Sequence, residues 1–294
     1  MNRVRKQIHY SRAEKEQLTG YHIGVGVLDS GIFPHEDLKD QIRAFRDFTN
    51  KYQLPYDETG HGTHVCGILA GNGRVLHGKY KGMAPYCDLY VGKILNKRGE
   101  GSLKTLLRGL QWLLSIAESC NIRVINISVS SIASASPEEQ RNLYELFQYA
   151  YENNILIVTA AGNFGPGDNT ISRLGDTPYV ICVGCHDGDL ENGGLRCQDC
   201  SGRGPGENVW KKPDVVAPGT QIISCQAAYG KYVARSGTSM ATPIVSGLLA
   251  LAWEKYPYLN AMQLKRKLIL SATDLGESYL MQGAGMVDVE KMLS

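Results

Sequence analysis

The clearest pattern along the chain is an alternation between short β-branched apolar runs and longer segments with helical apolar spacing. The apolar runs predict buried strands at 22–28, 88–95, 122–129, 154–161 and 179–185. The helical spacing occurs at 102–119, 136–153 and 238–256. Such alternation predicts an α/β fold, a three-layer sandwich in which helices cover both faces of a mainly parallel central sheet.

Length and composition predict one soluble globular domain spanning residues 1–294. Hydrophobic residues make up 43% of the 294 positions and charged residues 20%, and we find neither a linker-like tract nor an internal repeat. The formal net charge is +2, from 31 basic and 29 acidic side chains. That balance gives no electrostatic reason to expect a nucleic-acid partner. No apolar run approaches the roughly 18 residues of a membrane helix, so no membrane partner is expected.

The cysteines and the first residues together predict a cytoplasmic protein with reduced thiols. The start MNRVRK is not followed by the apolar stretch of a signal peptide. Secretion after trimming of a longer precursor, with a disulfide framework, is the alternative. The eight cysteines are Cys66, Cys87, Cys120, Cys182, Cys185, Cys197, Cys200 and Cys225.

Three chemically active side chains stand at the ends of predicted elements. Asp29 follows the first strand in GVLDSG, His61 opens a helix in HGTHVCG, and Ser239 leads into the long helix in SGTSMATP. Taken singly, each side chain has a purely structural explanation: Asp29 as a turn former, His61 as a core histidine and Ser239 as a helix cap. Together an acid, an imidazole and a hydroxyl are the parts needed for nucleophilic acyl transfer.

These segments resemble the conserved blocks of the subtilisin-like serine peptidases, in that family's order of Asp, His and Ser. The resemblance covers nearly the whole chain and includes VLDSG, GHGTHVCG, AAGN, KPDVVAPGT and SGTSMATP. It implies that Asp29 is the triad aspartate, His61 the general base and Ser239 the nucleophile. It also implies that Asn163 donates its side-chain amide to the oxyanion. His64 is then expected to pack inside the helix and Cys66 to face the core.

The resemblance further implies a protein or peptide substrate, bound as an extended strand added between two enzyme segments. One segment is 96–102, where glycines allow close backbone approach; the other is 128–131. The end of the strand at 154–161, together with Gly162, is expected to form a wall of the primary specificity pocket. The residues expected to contact substrate are Gly99, Gly101, Ser128, Val129, Ser130, Ala160, Ala161 and Gly162.

The predicted function is therefore a serine endopeptidase that acts in protein turnover or in leader and propeptide processing. A catalytically silent binding scaffold on the same fold is the alternative. Nucleotide binding through GVGVLD is disfavoured, because its glycines lie within the strand rather than after it. The stretch before the first strand is short for the pro-domain of secreted relatives. We therefore expect an intracellular-type member, for which a separate inhibitor or a pro-domain acting in trans could supply latency.

Two metal sites are considered, although the expected chemistry requires no cofactor. Cys182, Cys185, Cys197 and Cys200 form two Cys-x-x-Cys pairs, a spacing found in zinc sites. Strand geometry opposes zinc, because positions i and i+3 of a strand point to opposite faces. Structural calcium is a second hypothesis, since Asp37 stands where the family places a calcium ligand. The loop at 71–82 that should complete that site is long and basic.

Overall fold

The computed structural model describes residues 1–50, 52–129, 136–188, 196–206 and 210–294. Its centre is a seven-stranded sheet in which every paired neighbour runs parallel, in the order β2-β3-β1-β4-β5-β6-β7. The strands are β1 (Gly24–Asp29), β2 (Ile42–Asp47), β3 (Asp88–Lys93), β4 (Ile122–Ile127), β5 (Leu156–Ala160), β6 (Val180–Cys185) and β7 (Val215–Ala217). An antiparallel pair, β8 (Ile222–Cys225) and β9 (Tyr232–Arg235), forms a separate hairpin.

Helices lie on both faces of the sheet, as predicted. Those before the second half of the sheet are α1 (Asn2–Gln7), α2 (Ser11–Lys15), α3 (His61–Ala70), α4 (Leu103–Ile116) and α5 (Pro137–Glu152). The later helices are α6 (Cys197–Cys200), which lies between β6 and β7, and α7 (Thr238–Lys255), α8 (Ala261–Ser271), α9 (Tyr279–Gln282) and α10 (Val289–Met292), which follow β9. None of the described helices is both long and apolar enough to cross a membrane.

The two faces of the sheet bury separate hydrophobic clusters. One cluster unites side chains of α3 and α7 with strand residues such as Val25 and Val158, and the other unites α4 and α5 with Leu28 and Ile125. Strands β1, β5 and β6 are buried at every position. A strand covered on both faces must be apolar throughout, which is why these strands appear as continuous apolar runs in the sequence.

Helix starts follow local capping chemistry. The Ser136 hydroxyl accepts a hydrogen bond from the Glu139 N–H, and the Glu139 carboxylate accepts one from the Ser136 N–H, with Pro137 at the first helical position. Ser102 and Thr105 form the equivalent box at α4. Asn260 and Gln263 form a third capping box at the start of α8.

The hairpin β8–β9 docks onto α3 through His64. The Nε2–H of the fully buried His64 donates to the carbonyls of Ile222 and Val233, each at 3.0 Å. The Ser224 hydroxyl donates to the His64 carbonyl at 2.8 Å. Burial lowers the pKa of His64 to about 4, so the imidazole is neutral at pH 7. The expected packing role of His64 therefore takes a specific form, a link between one helix and two strands.

A second link joins the same hairpin to the segment before α3. Asp37 is fully buried; its Oδ2 accepts the Tyr232 hydroxyl at 2.6 Å and its Oδ1 accepts the Val75 N–H at 2.9 Å. Burial, together with the hydrogen bond to Asp37, raises the pKa of Tyr232. The phenol thus stays protonated and remains a donor.

His64 should make stability depend on pH. From pH 6.5 down to about 4 the unfolded chain protonates this imidazole and the folded chain does not, so the free energy of unfolding falls with pH. The pKa difference corresponds to about 3 kcal/mol. Urea unfolding at pH 7 to 4, on a Ser239→Ala background to prevent the expected self-digestion, should show a smaller decline for His64→Gln. Replacement of the exposed His77 by Gln should change nothing, and identical declines for His64→Gln and its parent would contradict the assignment.

Tyr232→Phe should lower the free energy of unfolding by about 1–3 kcal/mol, because it leaves a buried carboxylate oxygen without its donor. Denaturant unfolding at pH 7 measures the change. Tyr229→Phe is the matched control, since Tyr229 lies in the loop of the same hairpin and is 70% exposed. Equal stabilities of the two variants would show that the phenol–carboxylate bond has no stabilising role.

Candidate active site

The predicted site residues gather at the carboxyl edge of the sheet. Asp29 is the last residue of β1, Ser128 follows β4, and Asn163 follows β5. These three strands are neighbours, so their ends lie side by side. The helices α3 and α7 begin at the same edge, with His61 and Ser239 in their first turns. This edge is where side chains collect in open α/β folds.

Asp29 and His61 form a hydrogen-bonded pair. Asp29 Oδ1 lies 2.7 Å from His61 Nδ1 and also accepts the Ser30 N–H at 2.7 Å. The carboxylate is completely buried, whereas 24% of the imidazole is exposed. Burial lowers the pKa of His61, but the charge and hydrogen bond of Asp29 outweigh it and hold this pKa above its usual value. The Asp29–His61 pair therefore stabilises the protonated imidazole.

Ser239 lies beside this pair, in the first turn of the buried helix α7. Its hydroxyl donates to the carbonyl of Ser128 at 2.7 Å. Among the described residues it makes no hydrogen bond to His61. Ser239 and His61 nevertheless line the same cavity, whose volume is about 250 Å³. The structure therefore brings the acid, the imidazole and the hydroxyl to one place, with the hydroxyl turned towards the backbone.

Asn163 is held at the same helix start. Its Oδ1 accepts the backbone N–H and the hydroxyl of Thr238, each at 3.1 Å. Both contacts use the oxygen, so the Nδ2 amide faces away from Thr238. Gly237 packs against this amide; a Cβ there would lie 3.3 Å from Asn163 Nδ2, and its φ of +135° strains any other residue. The exposed Asn163 side chain is thus fixed by the residues that precede Ser239.

The residues predicted to contact substrate divide into two groups. Gly99, Ser128 and Val129 line the cavity with His61. Gly101 pairs with Leu95 in an antiparallel bridge, which shapes the segment rather than the cavity wall. The remaining positions do not line this cavity: Ala160 and Ala161 are fully buried, and Gly162 has a φ of +96°. Ser130 lies outside the described residues.

Asp57 organises the start of α3 and was not singled out from the sequence. Its Oδ1 accepts the Ser30 hydroxyl at 2.8 Å and the Gly60 N–H at 2.9 Å. Its Oδ2 accepts the N–H and hydroxyl of Thr63 at 2.8 and 2.7 Å. Ser30 in turn accepts the Gly62 N–H at 2.9 Å. Because Ser30 follows Asp29, this network fixes the distance between β1 and His61.

Lys93 is a second residue that the sequence analysis missed. It ends β3, next to Asp29 in the sheet register, and is completely buried. Its ammonium donates to the carbonyls of Ser30 and Leu95 at 2.7 and 2.8 Å and pairs with Glu58 at 3.0 Å. A lysine inside the apolar run DLYVGKIL was the available signal, because a buried charge must be paired.

The cysteines correct one prediction. Cys185 and Cys197 are joined in a disulfide, so the prediction of reduced thiols is wrong for this pair. Cys182 lies on the opposite face of β6, where it packs against Gly175, and the Cys200 thiol donates to the Cys197 carbonyl. The four sulfurs therefore do not converge as a tetrathiolate zinc site would require. Disulfides are rare in the cytosol, so the cysteines do not support the predicted location either.

The surroundings of Asp37 do not fit a calcium cage. Both carboxylate oxygens already accept hydrogen bonds, from Val75 and Tyr232. Among the histidine, cysteine and acidic side chains of the described residues, those that cluster with Asp37 offer the nitrogen of His35 and the sulfur of Cys225. Calcium prefers six to eight oxygen ligands. The described residues thus suit an internal hydrogen-bond network at this position.

Comparison with known proteins places this site in a family. A profile described as the subtilase family matches residues 20–287. The chain is 35% identical to Serine protease AprX of Bacillus subtilis (strain 168), over 94% of this chain and 67% of that protein. It is 33% identical to Subtilisin DY of Bacillus licheniformis, over 95% of this chain and 94% of that one. The solved structure of Sphericase superposes with a TM-score of 0.80 at 30% identity, covering 92% of both chains. The chain therefore belongs to the subtilase family of serine proteases.

Proposed function

We propose that this protein is a serine endopeptidase that hydrolyses peptide bonds with Ser239 as nucleophile. The observation that supports this most strongly is the buried Asp29–His61 pair opening into the cavity that also holds Ser239. A carboxylate bonded to an imidazole, with a hydroxyl in the same cavity, provides the three groups that activate a serine. Protein turnover and the removal of leader or propeptide segments are both compatible with such chemistry.

In the proposed acylation step, rotation about the Ser239 Cα–Cβ bond turns the hydroxyl from the Ser128 carbonyl towards His61. The oxygen attacks the scissile carbonyl carbon while Nε2 of His61 takes the proton. Asp29 accepts the Nδ1–H, which keeps the other nitrogen free as a base and stabilises the imidazolium. The imidazolium then protonates the leaving amine, and water attacks the acyl-enzyme by the same route.

The negative charge that develops on the carbonyl oxygen would be stabilised at the start of α7. The Nδ2 amide of Asn163 and the backbone N–H of Ser239 are the proposed donors. Thr238 orients this amide by occupying the Oδ1 of Asn163. Donors fixed in advance need no rearrangement during the reaction, which is the source of their large effect.

The substrate is proposed to bind as an extended strand between the 96–102 segment and Val129. Gly99 has a φ of +76° and nothing within 4 Å of where a Cβ would lie, so the chain there leaves room for another backbone. Ser128 and Val129 form the opposite side of the cavity. Main-chain hydrogen bonds would supply affinity, and side-chain pockets would supply selectivity.

A catalytically silent binding scaffold is the competing function. The retention of all four proposed chemical groups, with Asp29, His61 and Asn163 already hydrogen-bonded in position, favours an enzyme. A fluorophosphonate probe distinguishes the two, because it reacts only with an activated serine. Covalent labelling of Ser239 supports the peptidase, and no labelling of the intact protein supports the scaffold.

Ser239→Ala should abolish peptide hydrolysis while the protein stays folded, and Asn163→Ala should lower kcat by about 10²–10³, the loss known for subtilisin's own oxyanion asparagine. Measurements of kcat and KM on a peptide amide test both predictions, and circular dichroism verifies that the variants are folded. Asn169→Ala is the matched control, as an asparagine in the exposed loop after the site. An unchanged rate for Asn163→Ala would disprove the oxyanion assignment.

Arg98 should bias the cleft towards acidic substrates. It is exposed, lines the cavity with His61 and Gly99, and forms no ion pair among the described residues. We expect about a three- to tenfold preference in kcat/KM for Asp or Glu near the scissile bond on its N-terminal side, the scale of an exposed ion pair. A positional-scanning peptide library measures this preference.

Arg98→Glu should reverse that preference towards Lys and Arg, whereas Lys97→Glu should leave it intact. Lys97 is the matched control because it is the neighbouring exposed cation and does not line the cavity. Identical profiles for wild type and Arg98→Glu would rule out a role for Arg98 in selectivity.

A further inference from the structure

Asp187 is a completely buried acid to which the proposed chemistry assigns no role. It lies two residues beyond β6, and its Oδ1 accepts the backbone N–H groups of Gly219 and Thr220 at 3.1 and 3.0 Å. The Thr220 hydroxyl donates to its Oδ2. A buried carboxylate is stable only when its oxygens are satisfied, so these donors fix the 219–220 turn firmly against it.

That turn is bonded directly to the residues that present Ser239. The carbonyl of Gly219 accepts the N–H of Gly237 at 3.0 Å. Gly237 precedes α7 and packs against the Asn163 amide. Two consecutive hydrogen bonds, from Gly219 to Asp187 and from Gly237 to Gly219, thus join Asp187 to the residue that precedes α7, the helix that carries Ser239.

The disulfide closes the other side of the same turn. A Cβ on Gly219 would lie 2.4 Å from Cys185 Sγ and 3.2 Å from Cys197 Sγ, so the sulfurs pack against the turn's backbone. Cys197 N–H donates to the Thr220 hydroxyl oxygen at 2.8 Å, and its sulfur lies 3.2 Å from Asp187 Oδ2. The bridge therefore holds α6, Thr220 and Asp187 in one layer beneath Gly237.

We infer that Asp187 and the Cys185–Cys197 disulfide are positioning elements for Ser239, acting through Gly219 and Gly237. The inference rests on the proposed peptidase function, since it assigns these residues to the placement of that nucleophile. Neither group touches the reacting atoms. Their effect is on the alignment of the hydroxyl and the oxyanion donors, where a displacement of about 1 Å can cost about 100-fold in rate.

The first experiment is Asp187→Asn, which keeps the shape of the side chain and removes an acceptor oxygen and the charge. We expect kcat to fall about tenfold with KM within about threefold, because alignment changes and the cleft does not. The rate of fluorophosphonate labelling should fall by the same factor, measured well below the melting temperature. Asp199→Asn is the matched control; its carboxylate accepts the Arg196 N–H at the start of α6 and has no hydrogen bond to the 219–220 turn among the described residues.

Thr220 provides a second route to the same question if Asp187→Asn does not fold. Thr220→Val removes the hydroxyl that joins Asp187 to the Cys197 backbone and should slow labelling severalfold. Thr220→Ser restores that hydroxyl and should recover the wild-type labelling rate. A purely stabilising role would change the melting temperature of Thr220→Val and leave its labelling rate at wild-type level.

The role of the disulfide is tested by treating the intact protein with a water-soluble trialkylphosphine. The phosphine and one water reduce the bridge to two thiols, and the phosphine becomes its oxide. Mass spectrometry should then count eight thiols instead of six. We expect kcat to fall severalfold, as it should also in the Cys185→Ala/Cys197→Ala variant, which the phosphine no longer affects. Cys200→Ala, on the same short helix, should respond as wild type.

The outcomes separate this inference from the function on which it rests. Wild-type protein that resists fluorophosphonate labelling would refute the peptidase and, with it, the positioning role. Wild-type labelling together with wild-type rates for Asp187→Asn and for the reduced protein would refute the positioning role alone. Parallel losses of kcat and labelling rate, without a matching change in KM, would support it.

Discussion

The hydrogen bond between Asp29 and His61 is the contact on which the site depends. It joins a carboxylate with no exposure to water to an imidazole that opens into the cleft. Removing a charge from water is costly unless it gains strong partners. Neighbouring hydrogen bonds hold the pair in place. Asp57 links the start of α3 to the Ser30 hydroxyl, and the Lys93 ammonium links the Ser30 carbonyl to the end of β3. The pair is therefore as rigid as the sheet edge beneath it.

The elements that the sequence predicted well are those whose physical environment leaves a local trace. Strands β1, β5 and β6 are buried on both faces, so their apolar runs are continuous and easily found. The predicted ends differed from the structure by a few residues, as for 88–95, which forms a strand only over Asp88–Lys93. Strand β2 was missed because it is an edge strand, paired on one side only, with exposed Arg43 and Arg46.

Site residues divide along similar lines. Asp29, His61, Asn163 and Ser239 could be proposed from the sequence because each stands in a short block of characteristic sequence. Asp187 and Lys93 act through partners that are distant in sequence, and isolated positions of this kind leave little local signal. The same limit explains the metal hypotheses. Strand periodicity correctly separated Cys182 from Cys185, but the pairing of Cys185 with Cys197 depends on how α6 returns to β6. Likewise, the contact of Asp37 with Tyr232, which lies 195 positions away, leaves no trace in the local sequence that suggested a calcium ligand.

The placement of Ser239 on α7 has a consequence for the newly made chain. Every residue of this helix from Thr238 to Trp253 is buried, and it packs across β4, β5, β6 and β7. The hydroxyl therefore reaches its place only when the sheet has assembled around a helix that is synthesised late. A nascent chain on the ribosome carries Asp29 and His61 before it has the proposed nucleophile, so the proposed triad can form only after α7 has been synthesised and has packed against the sheet.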